Sequence, residues 1–239
     1  MQPDIMHKQA TAADELFDTA YEREVEVFGA APSGPLMQYV TTAAMTGAAL
    51  DIGAGLGRNA LALASAGFRV TAVDRSRSGV RRLAERAEHA GLGDRVDARA
   101  ADIREMSLGT DQYDVIVAAT VIDHMSLDDA TALLPVLHEA LRDDGAIYID
   151  VLTTDDPGCS GVGQASEFVA AIEHYFAPNE LPGLAARYWR IACYLEQREH
   201  DTTHGAPHDH VKAKLLGLGP AAPLVTFQAD DSNNPTTSA

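Results

Sequence analysis

The sequence predicts a doubly wound α/β fold, with a mostly parallel sheet covered by helices on both faces. From residue 47 to residue 152, short apolar runs alternate with segments that carry apolar residues at helical spacing. Such alternation is typical of parallel strands joined by crossover helices. A glycine-rich turn follows the first apolar run and opens the first helical segment. We predict seven strands, the last of them antiparallel.

The predicted elements follow one another along the chain. The apolar runs predict strands at residues 48–52, 69–73, 96–101, 113–119, 146–152, 189–198 and 211–216. The segments between them predict helices around residues 59–66, 80–87, 133–141 and 181–186. Ser126 has the type and position of an N-cap, with Asp129 three residues later, and Gly145 is expected to end that helix. No helix separates the last two strands, so we expect them to pair antiparallel.

Two end segments flank this core. Residues 1–46 are predicted to form an N-terminal helical cap, since apolar residues recur at helical spacing before a break at residues 31–35. These apolar residues are Leu16, Phe17, Tyr21, Val25 and Phe28. Residues 47–218 are predicted to form the α/β domain. Residues 219–239 are predicted to form a flexible tail, because the last of them are polar and show no periodicity.

Charge and cysteine content narrow the class of partner. The formal net charge of −17 repels phosphate backbones, so we expect no nucleic-acid partner. The apolar runs are far shorter than the ~18 residues of a membrane span, and no signal peptide is visible, so we expect no membrane partner. Cys159 and Cys193 cannot build a disulfide framework, which fits a reducing cytoplasm. The sequence carries no signal for the oligomeric state.

A glycine-rich motif follows the first strand. Residues 50–59 read LDIGAGLGRN, in which Gly53 and Gly55 let the backbone turn tightly and approach a ligand. Asp74 ends the next strand, where a carboxylate can bind both hydroxyls of a ribose. The dinucleotide motif G-x-G-x-x-G needs a glycine at position 58, where this chain has Arg58. That difference argues against an oxidoreductase with a nucleotide cofactor.

The stretch ALDIGAGLGRNALALASAGFRVTAVDRS resembles motif I and the second strand of class I S-adenosylmethionine-dependent methyltransferases. Its second half is similar to the tellurite-resistance-type branch of small-molecule methyltransferases. The resemblance implies a Rossmann-like sheet and S-adenosylmethionine as the cofactor. The residues that it assigns to cofactor binding are Asp51, Gly53, Ala54, Gly55, Gly57, Asn59, Asp74, Arg75, Asp102, Ile103, Ala119 and Thr120.

The resemblance also implies individual roles. Asp51 would lie near the methionine amino group, directly or through water, and Asp74 would hold the ribose hydroxyls. Asp102 would accept the adenine amino group, and the alternative is that it caps a helix or a turn. Ala119 and Thr120 would contact the methionine end of the cofactor.

His124 is the candidate general base, because it follows the fourth strand, where the acceptor meets the methyl group in this family. A base is needed only if the acceptor arrives protonated, and an imidazole suits proton acceptance near neutral pH. Asp123 is the second candidate catalytic residue, and it could orient His124 or cap the following helix. The alternative for His124 is a helix-capping or supporting role.

A histidine-rich segment separates the last two strands, at residues 199–210. Three interpretations compete: a polar lid that binds substrate, a surface hairpin without a role, or a metal site. We expect His204, His208 and His210 to bind substrate, together with Tyr21 of the N-terminal helix, and we expect no metal.

The expected reaction is methyl transfer from S-adenosylmethionine to a nitrogen, oxygen or sulfur atom of a small-molecule acceptor. A heteroaromatic secondary metabolite is one such acceptor. The alternative within the class is methylation of tellurite or selenite. From a different class, the alternative is a protein that binds the cofactor but has lost catalysis.

Overall fold

Seven strands form one sheet in this protein, for which the computed structural model describes residues 12–23, 27–161 and 166–226. In chain order the strands are β1 (Ala48–Ile52), β2 (Arg69–Asp74), β3 (Val96–Ala100), β4 (Tyr113–Ala119), β5 (Leu141–Leu152), β6 (Arg190–Asp201) and β7 (His208–Leu218). The α-helices are α1 (Ala12–Arg23), α2 (Gly34–Thr42), α3 (Arg58–Ser65), α4 (Arg77–His89), α5 (Leu127–Ala140), α6 (Pro157–Ser160) and α7 (Glu180–Ala185). Short 3-10 helices lie at Gly93–Arg95, Ile103–Glu105, Ile122–His124 and Glu167–Ala171.

The strand order across the sheet is β3-β2-β1-β4-β5-β7-β6. The first five strands pair in parallel, whereas β7 pairs antiparallel with both β5 and β6. These pairings confirm the predicted sheet and the antiparallel pairing of the last two strands. Because β7 is antiparallel to both neighbours, β6 runs in the same direction as the first five strands. The turn between β6 and β7 therefore lies at the carboxyl edge of those strands.

Alternate residues of the central strands enter two separate hydrophobic cores, since successive side chains of a strand point to opposite faces. On β4, Ile116 enters one core and Val117 enters the other. The first core packs against α5 and α7, through Leu134 and Leu181. The second core packs against α2, α3 and α4, and Leu63 of α3 is fully buried there. Helices thus cover both faces, as the doubly wound class requires.

The junction between α5 and β5 differs from the prediction. Ser126 caps α5 as expected, since its Oγ accepts a hydrogen bond from the Asp129 backbone N at 3.1 Å. The helix ends at Ala140, however, and Leu141 is extended and pairs with Tyr113 of β4. The prediction that Gly145 ends the helix is therefore wrong, because Gly145 lies inside β5.

The two end segments are partly described. Helix α1 lies within the predicted cap, and Val25 falls outside the described residues. Residues 219–223 of the predicted tail are anchored to β5 and α2, because Gly219 N donates to Gly145 O at 2.9 Å and Tyr39 Oη donates to Pro223 O at 2.9 Å. Residues 227–239 lie outside the described part of the chain. None of the described helices has the length and apolar character needed to cross a membrane.

Candidate active site

A cavity of about 1260 Å³ opens at the carboxyl ends of the parallel strands. Parallel strands end at the same edge of a sheet, so the loops that follow them converge there. Helix α1 and the β6–β7 turn line it as well. The predicted site residues that line it are Tyr21, Gly53, Ala54, Gly55, Gly57, Asp74, Arg75, Asp102, Ile103, Ala119, Thr120, His124, His204 and His210. Among the described residues, four predicted site residues do not line it: Asp51, Asn59, Asp123 and His208.

The glycine loop between β1 and α3 has a backbone that only glycine adopts readily. Gly55 has φ +51°, and a Cβ placed there would lie 2.7 Å from the hydroxyl oxygen of Tyr21. Tyr21, on α1, therefore packs directly over the loop. It lies at the glycine loop, where the cofactor is expected, and burial raises the pKa of its hydroxyl well above the ordinary value.

Asp74 ends β2 and is fixed by the backbone of two loops. Its Oδ2 accepts a hydrogen bond from Gly55 N at 2.7 Å, and its Oδ1 accepts one from Ser76 N at 2.8 Å. Burial raises the pKa of this carboxyl group, although both hydrogen bonds oppose the shift. Each carboxylate oxygen has two lone pairs, so Asp74 can still accept hydrogen bonds from a pair of hydroxyl groups. This arrangement fits the ribose of the expected cofactor.

Asp102 follows β3 and has two roles at once. Its Oδ1 accepts from Arg104 N at 3.0 Å, so it caps the short helix Ile103–Glu105, which was the alternative interpretation. It also lines the cavity, and the Arg104 guanidinium hydrogen-bonds it at 2.6 Å and lowers the pKa of its carboxyl group. Arg75 lies beside it, with Nε 3.8 Å from Asp102 Oδ2. Arg75 also forms an ion pair with Asp14 of α1 at 2.7 Å.

Asp51 and Asn59 lie behind the glycine loop and do not themselves line the cavity. Asp51 is 2% exposed, and burial raises its pKa to about 7, opposed by the charge of Arg58 and a hydrogen bond from the Ala60 backbone. Asn59 Oδ1 accepts a hydrogen bond from Ser33 N at 2.9 Å. Both side chains therefore support the loop from inside the protein.

Thr120 marks the end of β4 with a strained backbone. Its φ is +51°, a value that a β-branched residue rarely adopts. Two hydrogen bonds hold this conformation: Thr120 Oγ1 donates to Asp150 Oδ1 at 2.6 Å, and Thr120 N donates to Asp150 O at 2.9 Å. Strain of this kind clusters at functional sites, and here it directs the chain around the rim of the cavity.

His124 lines the cavity, and its ring orientation is fixed. Its Nδ1 lies 2.9 Å from the carbonyl oxygen of Ala171. A carbonyl oxygen only accepts, so Nδ1 carries the hydrogen and Nε2 of the neutral ring keeps its lone pair. The Phe17 ring packs edge-on against the imidazole, with centroids 5.2 Å apart.

Asp123 does not orient this imidazole, which corrects its predicted role. It is fully buried, and its Oδ2 accepts a hydrogen bond from Leu152 N at 3.0 Å. No described group donates to its Oδ1, and burial raises the pKa of the carboxyl group. Nor does Asp123 cap the following helix, because Ser126 does so. Its side chain instead joins the Ile122–His124 turn to β5.

The three predicted histidines of the β6–β7 hairpin are brought together. His204, His208 and His210 are each buried, and one ring nitrogen of each lies within 4.8 Å of the others. Because these rings are buried, the interpretation of the segment as a surface hairpin does not fit them. His204 and His210 line the cavity, whereas His208 packs behind them. Burial lowers the pKa of His204 to about 4, so its ring is neutral.

Aromatic side chains that the sequence analysis did not assign to the site form one wall of the cavity. Phe17 and Phe28 belong to the N-terminal segment, and Phe168 follows β5. The ring centroids of Phe28 and Phe168 are 4.9 Å apart, and those of Phe28 and His204 are 5.1 Å apart. No motif surrounds Phe168, so only the tertiary fold identifies it. The spacing of Phe17 and Phe28 predicted packing and gave no sign that they also face a cavity.

Part of the chain is similar to a known protein family. Residues 49–145 match the family model described as a methyltransferase domain. No curated protein sequence matches the chain. TehB from Haemophilus influenzae superposes with a TM-score of 0.65 at 21% identity, over 87% of this chain and 67% of that one.

Two further solved structures share the fold. One, described as the conversion of a disulfide bond into a thioacetal group during echinomycin biosynthesis, has a TM-score of 0.62 at 24% identity and covers 87% of this chain and 94% of its own. The other is phosphoethanolamine N-methyltransferase 2 of Haemonchus contortus, in complex with phosphomonomethylethanolamine and S-adenosylhomocysteine. It has a TM-score of 0.58 at 18% identity, over 85% of this chain and 57% of that one.

Proposed function

We propose that the chain is a class I S-adenosylmethionine-dependent methyltransferase, which methylates a nitrogen, oxygen or sulfur atom of a small-molecule acceptor. The match of residues 49–145 to a methyltransferase-domain model and the fold shared with a solved methyltransferase support this proposal. One observation carries the proposal. The glycine loop, the aromatic wall and the buried histidines all line a single cavity of about 1260 Å³. Sites for drug-sized ligands typically measure about 300–1,000 Å³, so this cavity has room for a nucleoside cofactor and a compact acceptor.

S-adenosylmethionine supplies a methyl group already activated by its sulfonium charge, so the protein mainly has to bind, orient and exclude water. Asp74 would hold the ribose hydroxyls, and Asp102 with Ile103 would lie at the adenine. Ala119 and Thr120 would face the methionine end, because they lie at the carboxyl end of β4 and line the cavity.

His124 would accept a proton from an acceptor that arrives protonated. Its Nδ1–H is committed to the carbonyl oxygen of Ala171, so the lone pair for this step is on Nε2. The histidine lines the same cavity as Thr120, which supports a role beside the transferred methyl group.

The aromatic wall favours a planar acceptor. Phe17, Phe28 and Phe168 offer ring faces and edges, and aromatic pairs of this kind stabilise offset or edge-to-face contacts. A heteroaromatic secondary metabolite fits such a wall better than a tellurite or selenite oxyanion does. The net charge of −17 further disfavours a nucleic-acid acceptor. The two free cysteines are consistent with action in a reducing cytoplasm.

The test is a screen of purified protein with S-adenosylmethionine against a panel of acceptors, with S-adenosylhomocysteine as the measured product. The panel contains heteroaromatic amines, phenols, thiols, selenite and tellurite. We expect product only with small organic acceptors. Turnover confined to selenite or tellurite would establish the metalloid alternative. Tight S-adenosylhomocysteine binding without turnover on any acceptor would support a protein that binds the cofactor without catalysis.

A further inference from the structure

The three histidines of the β6–β7 hairpin form a compact cluster of ring nitrogens. His208 and His210 are two residues apart on β7, so their side chains leave the same face of the strand. His204 lies in the turn before β7, and its ring centroid is 4.8 Å from that of His208. All three side chains are buried, which keeps bulk water away from them.

The hydrogen-bond partners of two of these rings leave an excess of lone pairs. His208 Nδ1 lies 2.8 Å from the carbonyl oxygen of Ala206, and His210 Nδ1 lies 3.0 Å from Asp156 Oδ2. Both partners accept, so each Nδ1 carries its hydrogen and each neutral ring has its lone pair on Nε2. The two Nε2 atoms face each other at 3.0 Å. Two lone pairs at this distance repel unless a cation lies between them.

The surroundings of the cluster are those of a metal ligand set. Metal-binding histidines usually donate their second ring nitrogen to a carboxylate or a backbone carbonyl, which fixes the ring and raises its basicity. His210 does so to Asp156, and His208 does so to the carbonyl of Ala206. Asp156 is itself held in place, because Val211 N and Gly158 N donate to its two oxygens at 2.9 and 2.8 Å.

We propose that His204, His208 and His210 bind a divalent transition-metal ion, of the kind represented by Zn²⁺, at the edge of the active-site cavity. Two nitrogens bound to one tetrahedral Zn²⁺ lie about 3.3 Å apart, from Zn–N bonds of about 2.0–2.1 Å. The His208–His210 spacing is already close to this value. Imidazole nitrogen is a ligand that suits Zn²⁺, Ni²⁺ and Cu²⁺.

The third ligand is within reach of the other two. His204 Nε2 now lies 2.9 Å from the Ser166 hydroxyl oxygen, and a small rotation of the ring would exchange this contact for the metal. Three protein ligands leave one tetrahedral position for water or for a donor atom of another molecule. Since His204 and His210 line the cavity, that position faces the space where the acceptor is expected. This proposal replaces the expectation from the sequence that no metal binds here. It does not depend on which acceptor the enzyme methylates.

The experiment uses the full chain, stripped with a chelator and titrated with Co²⁺, which absorbs visible light strongly in tetrahedral sites. We expect one ion per chain, visible d–d bands, and displacement of Co²⁺ by Zn²⁺. His208→Ala and His210→Ala should each weaken binding at least about 100-fold, and Asp156→Asn about 10- to 100-fold. His89→Ala, on the exposed end of α4, is the control and should bind as the unaltered protein does.

A second measurement keeps the test decisive if a histidine variant does not fold. The thermal unfolding temperature of the unaltered protein should rise with Zn²⁺, should not change with Mg²⁺, and should return after chelation. Absence of both the Co²⁺ bands and the Zn²⁺ shift would overturn the proposal. The two Nε2 atoms would then share a proton, which would appear as one ring N–H signal in nitrogen-15 NMR. S-adenosylhomocysteine affinity, measured in the same samples, reports separately on the methyltransferase assignment.

Discussion

The carboxylate of Asp74 accepts a hydrogen bond from the backbone nitrogen of Gly55 at 2.7 Å. This contact joins the end of β2 to the glycine loop that follows β1. The same carboxylate lines the cavity, so one side chain both shapes the loop and faces the space where the cofactor is expected. The glycine loop and the end of β2, which are separate in the sequence, thus form one continuous part of the cavity wall.

Replacing Asp74 with Ala should therefore weaken binding of S-adenosylhomocysteine. The loss of a charged hydrogen-bond acceptor at a buried site should cost about 1–3 kcal/mol, or roughly 5- to 150-fold in affinity. Isothermal titration calorimetry measures this difference directly. Asp97→Ala is the matched control, because Asp97 is an exposed acid on neighbouring β3. Equal affinity of Asp74→Ala and the control would remove Asp74 from the ribose site.

Gly57→Ala should destabilise the fold through a steric clash beneath the glycine loop. Gly57 has φ +85°, and a Cβ there would lie 2.0 Å from Leu83 Cδ1. Gly91→Ala is the control, because Gly91 also has a positive φ, +68°, but a Cβ there would meet nothing within 4 Å. Backbone strain should lower the free energy of unfolding of both variants by about 1–2 kcal/mol. Overpacking should lower that of Gly57→Ala by about 1–3 kcal/mol more. Urea unfolding measures both, and equal losses would contradict the clash.

The central fold was predictable because its signals are local. Strands β1, β2, β4 and β5 each contain a short apolar run, and the glycine turn after β1 marks the cavity edge in the sequence itself. The junction at Leu141 was not predictable, because pairing with Tyr113 overrides a helical spacing of leucines. Burial of the hairpin histidines also depends on tertiary contacts, since the Phe28 and Phe168 rings that cover His204 come from distant segments.

The predicted site residues show the same difference between local sequence signals and tertiary contacts. Asp74 and Asp102 line the cavity, as their positions at strand ends predict. Asp51 and Asn59 lie in the same motif but face inward, and a motif does not distinguish the two faces of a loop. Asp123 was misassigned because adjacency in sequence to His124 does not place the two side chains in contact.

Asp51→Asn should stabilise the protein more at pH 8 than at pH 5. Burial raises the pKa of Asp51 to about 7 in the folded protein, whereas an unfolded aspartate titrates near 3.9. Between these values the folded state holds a proton that the unfolded state has lost, so stability falls as pH rises by roughly 1.4 kcal/mol per unit. Asparagine stays neutral, and its side-chain oxygen can still accept from Ala60 N.

The measurement is urea unfolding of the unaltered protein and Asp51→Asn at both pH values. The free energy of unfolding of the variant, relative to that of the unaltered protein, should rise by about 3 kcal/mol from pH 5 to pH 8. Most of this rise should occur between pH 5 and pH 7, below the pKa of Asp51. Asp97→Asn, which changes an exposed acid, should show the same difference at both pH values. An advantage that does not change with pH would mean that Asp51 is ionised in the folded protein throughout.

His124→Asn should slow methyl transfer to acceptors that must lose a proton, without changing cofactor affinity. The asparagine amide can keep the donor that His124 Nδ1 provides to Ala171 O, while the lone pair of Nε2 is lost. General bases contribute about 10²- to 10⁴-fold, so turnover with a phenol or a protonated amine should fall by that range. Turnover with a thioether, which has no proton to lose, should change little, and S-adenosylhomocysteine should bind as before. His89→Asn, at the exposed end of α4, is the control. Equal losses with phenol and thioether acceptors would show that His124 positions the acceptor and does not take its proton, since a base acts only where a proton leaves.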